Sequence, residues 1–192
     1  VKDSARALSH ITDADSELAR RVAEEPGALR ALVAAVAAHI GELGGTCLQG
    51  AAVNSVIALA RITESDDQEL TLRVEEEPGA LWVLVTAVAA GSAADAHNLH
   101  CAAWGGAITL SRITALGMDS SRRVVDEPGA RQALVAAVAT GSASDKPMLQ
   151  AAAVSSTDTL ARITKADPEL ARRVAEHPGA LRALVAAAAT GG

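Results

Sequence analysis

The sequence predicts an all-α fold of stacked helical repeats, a solenoid, and three observations carry that prediction. The phrase Arg172-Arg173-Val174-Ala175-Glu176-His177-Pro178-Gly179-Ala180-Leu181-Arg182-Ala183-Leu184-Val185 recurs from Arg20, Leu72 and Arg122, with Pro-Gly pairs at Pro26, Pro78, Pro128 and Pro178. A period of about 50 residues belongs to architectures in which each unit buries its apolar face only by stacking on the next. Apolar residues recur at helical spacing, as in Leu29, Leu32, Val33 and Val36, and no alternating strand pattern is present. The apolar mass is Ala, Leu and Val, with no Phe, no Tyr and two Trp, a composition that favours helix over sheet.

Taken in order, positions 1–12 read as the end of a helix, with Ala5, Leu8 and Ile11 on one face. Its closing phrase Ala7-Leu8-Ser9-His10-Ile11-Thr12 returns at Ala58, Thr109 and Thr159, so the chain opens partway through a repeat. A short helix is expected over Asp15–Glu25, capped by Thr12, Asp13 or Asp15. Arg20 with Glu24 and Arg21 with Glu25 are four-apart pairs on its surface. Pro26 breaks this helix and is expected to start the next, and Gly27 lets the two meet at a sharp angle. The second helix runs from Gly27 to about Ala38. Gly- and Ser-rich links follow at 41–46, 91–98 and 141–147. The third helix covers about Leu48–Ile62, with Leu48, Ala51, Ala52, Ser55, Leu59 and Ile62 on one face.

One repeat domain over 1–192 is expected: a partial unit at 1–12, units at about 13–63, 64–114 and 115–164, and a partial unit at 165–192. Neither end carries a polar capping unit, which repeat arrays need for solubility. A segment of a longer array is therefore the expectation.

The short helix, the Gly after it (Gly27, Gly79, Gly129, Gly179), the apolar run Leu29-Arg30-Ala31-Leu32-Val33 and a third helix ending Ala58-Leu59-Ala60-Arg61-Ile62 together resemble the armadillo repeat. A HEAT-like solenoid is the alternative, since the period exceeds the ~40–47 residues usual for either family. The resemblance implies a right-handed superhelix whose third helices line a concave groove that binds extended peptides or proteins. In peptide-binding members an Asn near the end of the third helix, with a Trp one turn earlier, holds the ligand backbone. The matching Asn positions are His10, Arg61, Arg112 and Arg162, and the Trp positions are Arg6, Ile57, Ile108 and Asp158, so that ladder is missing here.

Arg61, Arg112 and Arg162 project from equivalent places on successive third helices, about 10 Å apart if the units stack. Such a row suits carboxylate- or phosphate-bearing segments. The structural alternative pairs each Arg with an acid nearby, such as Glu64, Asp66 or Asp167. Trp104, beside Ile108, is either a groove contact or a filler of core volume next to Gly105, Gly106 and Ala107. Trp82 replaces Arg30, Gln132 and Arg182 of the other copies, which places it on the outer, solvent-facing side of a second helix. Arg131 is the converse, a charge where Leu29, Leu81 and Leu181 stand.

His97, His100 and Cys101, with Asp95 and His39 elsewhere, form the one metal-like grouping, and a structural zinc site wants four ligands. No metal, cofactor or catalytic residue is assigned: nucleophile elbow, phosphate loop and recurring acid pair in an apolar setting are all missing from the sequence. A net charge of −6 argues against nucleic acid. The longest apolar run, Ala31 to Ile40, is far short of the ~20 residues of a membrane span. Two cysteines, Cys47 and Cys101, read as reduced buried thiols, and with no visible signal peptide the expectation is an intracellular, cytoplasmic protein.

The expected function is a non-catalytic protein-interaction scaffold. Its groove residues are Arg61, Trp104, Ile108, Arg112 and Arg162, Trp82 serves the outer face, and the partner is a protein or an acidic peptide. The first alternative is a structural subunit that stacks end to end, and the second a nucleic-acid-binding helical repeat.

Overall fold

The computed structural model describes residues 2–39, 46–64 and 67–190, with the side chains of 2, 46–49 and 190 set aside. Among the described residues the chain is all-α, with twelve helices and no strand. They are α1 Lys2–Ala14, α2 Ser16–Glu24, α3 Ala28–His39, α4 Thr46–Ile62, α5 Gln68–Glu76, α6 Ala80–Ala93, α7 His97–Ala115, α8 Met118–Asp126, α9 Ala130–Ser142, α10 Pro147–Ala166, α11 Pro168–Ala175 and α12 Ala180–Thr190.

Each junction between a short helix and the next follows from its sequence. The residue before Pro is pushed out of the helical region, and Glu25, Glu77 and Glu127 take extended backbone at φ −66, −65 and −63. The Gly after Pro is left-handed at all four turns, with φ between 81 and 84. Pro26 therefore ends one helix without starting the next: α3 begins at Ala28. Asp15, Asp67 and Asp167 cap α2, α5 and α11, each accepting the backbone N–H two residues on. At the other end of the unit Thr12, Thr63, Thr114 and Thr164 donate to the carbonyl three residues back, closing the last turn of each long helix.

The second helices outrun their expected ends. Positions 91–93 and 141–142 belong to α6 and α9, so the second and third links shrink to 94–96 and 143–146. The glycines make this possible. A Cβ on Gly91 would sit 2.1 Å from the Leu99 carbonyl oxygen, and one on Gly141 2.1 Å from that of Leu149. Gly and Ser here mark a close helix crossing rather than a loop. The first link lies largely outside the described residues.

Packing follows sequence order. Long helices α1, α4, α7 and α10 lie successively against one another, as do α3, α6, α9 and α12. The main contacts all fall within a unit or between adjacent units. One core runs through them, with Leu59, Ile62, Leu84, Leu110, Ile113 and Leu160 fully buried.

Ion pairs cross between units more than the sequence suggested. Arg20 does not pair with Glu24. It reaches Asp67 at 2.7 Å, as Arg122 reaches Asp167 at 2.6 Å, and Arg30 reaches Glu77 at 3.4 Å. The capping carboxylate of the next unit presents a fixed acceptor, whereas an acid four residues on along the helix is free to swing.

Candidate functional site

The Arg row on the long helices is drawn into the stack. Arg61 sits between Asp13 at 2.7 Å and Glu64 at 2.6 Å, with its guanidinium 6.0 Å from the ring centroid of Trp104. The hydrogen bond from Glu64, working against burial, holds the Arg61 pKa above its ordinary value. Arg112 donates to the Ala60 carbonyl at 2.6 Å and approaches Glu64 at 3.7 Å. Burial lowers the Arg112 guanidinium against the pull of Glu64, with the charge of Arg61 adding to the lowering.

A single rule explains the row. Each Arg faces the residue two places after the last Ile of the preceding long helix. Arg61 meets Asp13, and Arg112 meets Glu64. At the third step that place is Ala115, and Arg162 turns instead to Asp158 in its own helix at 2.8 Å. Asp158 also accepts from Ser111 at 2.5 Å. Burial alone would raise its carboxyl, but the bonds from Ser111 and Arg162 outweigh burial and hold it below the usual range.

Of the acids expected for this row, Glu64 takes part, Asp167 is engaged by Arg122, and Asp66 lies outside the described residues. Trp104 is half-buried, packed against the core and under Arg61, so it fills volume and forms part of the surface at once. Ile108 is half-buried on the same helix.

The outer face is arranged differently. Trp82 stands 45% exposed on α6, as its register predicts. It lines a cleft of about 380 Å³ between consecutive Glu-Pro-Gly turns, with Glu76, Glu77, Asp126 and Glu127 around it. Related clefts lie beside Arg73 at the preceding junction and beside Arg173 and His177 at the following one. Only the middle one carries an indole.

Beneath that cleft lies a residue that sequence reasoning missed. The Glu75 side chain is 0% exposed. Its Oε1 lies 3.0 Å from Arg123 Nη1, though without an aligned hydrogen bond, and its Oε2 accepts from Ser120 at 2.7 Å. The signal was present in the register: Glu75 stands where other copies have Ala23, Val125 and Ala175, and Ser120 where they have Leu18, Leu70 and Leu170. Arg131, the other departure, donates to the Arg173 carbonyl at 3.1 Å.

The His-Cys grouping does not converge. His100 is buried on the Ala94 carbonyl at 3.0 Å, the His97 and His100 rings lie 6.5 Å apart, and Asp95 pairs with Lys146. Among the described residues no three His, Cys, Asp or Glu side chains are placed to hold a metal ion. Cys101 is a free thiol, half-buried rather than fully buried, and burial pushes its pKa up. The Cys47 side chain lies outside the described residues. No helix among the described residues is long and apolar enough to cross a membrane.

No family model, curated protein or solved structure matches the chain. The likeness to armadillo repeats stands on the residues quoted above.

Proposed function

We propose that the chain is a non-catalytic protein-interaction scaffold, a right-handed superhelix of armadillo type. The observation that carries this reading is Trp82, an exposed indole on the wall of an acidic cleft, at a place where the repeat otherwise holds a polar residue. Trp is the side chain most often found at the energetic centre of protein interfaces. Glu76, Glu77, Asp126 and Glu127 suit a segment that offers Lys or Arg beside an apolar group. On the concave side, Trp104, Ile108 and the more exposed guanidinium of Arg162 form the surface for an acidic segment, with Arg61 and Arg112 holding it from beneath. The order of helix contacts, long helix on long helix and second helix on second helix, supports the solenoid.

A random peptide library selected on the immobilised chain tests this. Peptides that bind the outer face lose about thirtyfold in affinity on Trp82→Ala, the scale of a hot-spot truncation of about 2 kcal/mol. Trp82 is exposed, so the fold is spared. Selected peptides whose affinity is unmoved by Trp82→Ala and by Arg162→Glu leave neither face as a docking surface.

A further inference from the structure

The two ends of the helix stack carry uncovered faces whose counterparts inside the molecule are buried. On α1, Ile11 is 41% exposed and Leu8 half-buried, while their equivalents Ile62, Ile113, Leu59 and Leu110 are fully buried. On α3, Ala31 is exposed, whereas Val83, Ala133 and Ala183 at the same place are 0–5% exposed. An apolar groove runs between these two helices, lined by Ala5, Leu8, Ala31, Leu32, Ala35 and Ala38. At the other end Leu181 is 60% and Val185 70% exposed on α12, against 7% and 6% for Leu29 and Val33. Leu184 is half-exposed where Leu32, Leu84 and Leu134 are closed, and Val154 on α10 is 71% exposed where Val53 is buried.

The two faces fit each other by the molecule's own rules. Helices α11 and α12 are a first and a second helix with no long helix packed behind them, and α1 is a long helix with no first and second helix before it. We propose that a second copy of this chain docks head to tail. Its α1 completes the unit begun by α11 and α12, and α12 enters the groove between its α1 and α3, as α9 lies between α10 and α12.

Charge supplies an independent test of this fit. Within the chain, forward ion pairs across a junction join Arg20 to Asp67, Arg122 to Asp167 and Arg30 to Glu77. At the middle junction both partners of the first kind are lost together, Leu72 facing Gly117. The end-to-end junction restores the full set. Arg172 falls opposite Asp15, and Arg182 opposite Glu25 of the second copy. A backward pair of the type Arg173–Asp126, 2.8 Å here, becomes Arg21 of the second copy with Glu176. Asp15 caps α2 as Asp67 and Asp167 cap their helices, yet it is exposed where those two are shielded by a preceding unit. In charge and in apolar pattern the docked junction repeats the one between the first two complete units.

Analytical ultracentrifugation of the full chain over a concentration series reads the outcome. The unaltered chain shows a weight-average mass that climbs with concentration. A tail variant, Leu181→Glu with Val185→Glu, and a head variant, Ile11→Glu with Ala31→Glu, each remain monomeric alone with helical circular dichroism retained. Mixed in equal amounts, they form a heterodimer and nothing longer, because one intact tail meets one intact head. Arg182→Glu or Glu25→Arg weakens assembly a few-fold, and the two combined restore it. A chain that stays monomeric throughout overturns the proposal. So does association that survives in either blocked variant, a mixture that forms no heterodimer, or a charge swap that restores nothing.

Discussion

Glu75 shows how much a single side chain can set apart one junction in a repeating chain. A carboxylate with 0% exposure costs several kcal/mol to desolvate unless a cation and hydrogen bonds meet it. Arg123 and Ser120, both from the next unit, supply those contacts. The geometry makes the two directions of mutation unequal. Arg123→Ala removes the cation and leaves the acid in place, and is expected to destabilise by about 2 kcal/mol. That is less than the ~3–5 kcal/mol of a wholly buried pair, because the guanidinium is half in solvent. Glu75→Val with Ser120→Leu recreates the pattern of Val125 over Leu170 at the next junction, and is expected to stay within about 1 kcal/mol of the unaltered chain or exceed it. Urea unfolding of the two variants side by side decides the matter. Equal losses would mean that the acid contributes nothing beyond its volume.

At the scale of the element, most of what the chain builds was legible, and the misreadings share a cause. The four Pro-Gly turns, the three-helix unit and the core stripe are local consequences of backbone restriction and helical spacing. They emerge wherever the same short phrase occurs. The lengths of α6 and α9 were not legible, because Gly91 and Gly141 look identical in sequence whether they loosen a loop or let a helix pass close to a neighbour. Destinations of charge were equally hidden: Arg20 has Glu24 at a favourable spacing and yet chooses Asp67, which lies 47 residues on. The exposed Trp82 was legible because it breaks a polar register, and Glu75 was overlooked although it breaks an apolar one. Two glycine substitutions separate the two uses of the residue. Gly79→Ala puts a Cβ at an ordinary 3.7 Å from Val33, so its cost is the left-handed backbone alone, about 1–2 kcal/mol. Gly91→Ala drives a Cβ onto the Leu99 carbonyl and demands that α6 and α7 separate, so it should cost distinctly more. Thermal denaturation giving the reverse order would place the end of α6 away from α7.

For the molecule as a whole, the small size of its core residues and the order of its contacts act together. With no Phe or Tyr and an Ala-rich core, each helix pair buries little area, so no unit holds its shape without neighbours on both sides. Because the main contacts join only adjacent units, protection should decline from the centre outward rather than vary from one core to another. The middle long helices α4 and α7 are covered on both sides, and α12 on one, where Leu181 and Val185 meet solvent. In dilute solution, hydrogen exchange read by mass spectrometry is therefore expected to be slowest in α7 and α6 and fastest in α12 and α1. Raising the concentration should then slow exchange in α12, α1 and α3 alone, since docking of a second copy turns end units into interior ones and leaves the centre as it was. In the tail variant, Leu181→Glu with Val185→Glu, that concentration dependence should vanish while the decline from centre to ends persists. This separates stability that a unit draws from its own chain from stability lent by the next molecule. A flat exchange profile at every concentration would instead require contacts that bypass the neighbouring unit, which the packing order does not provide.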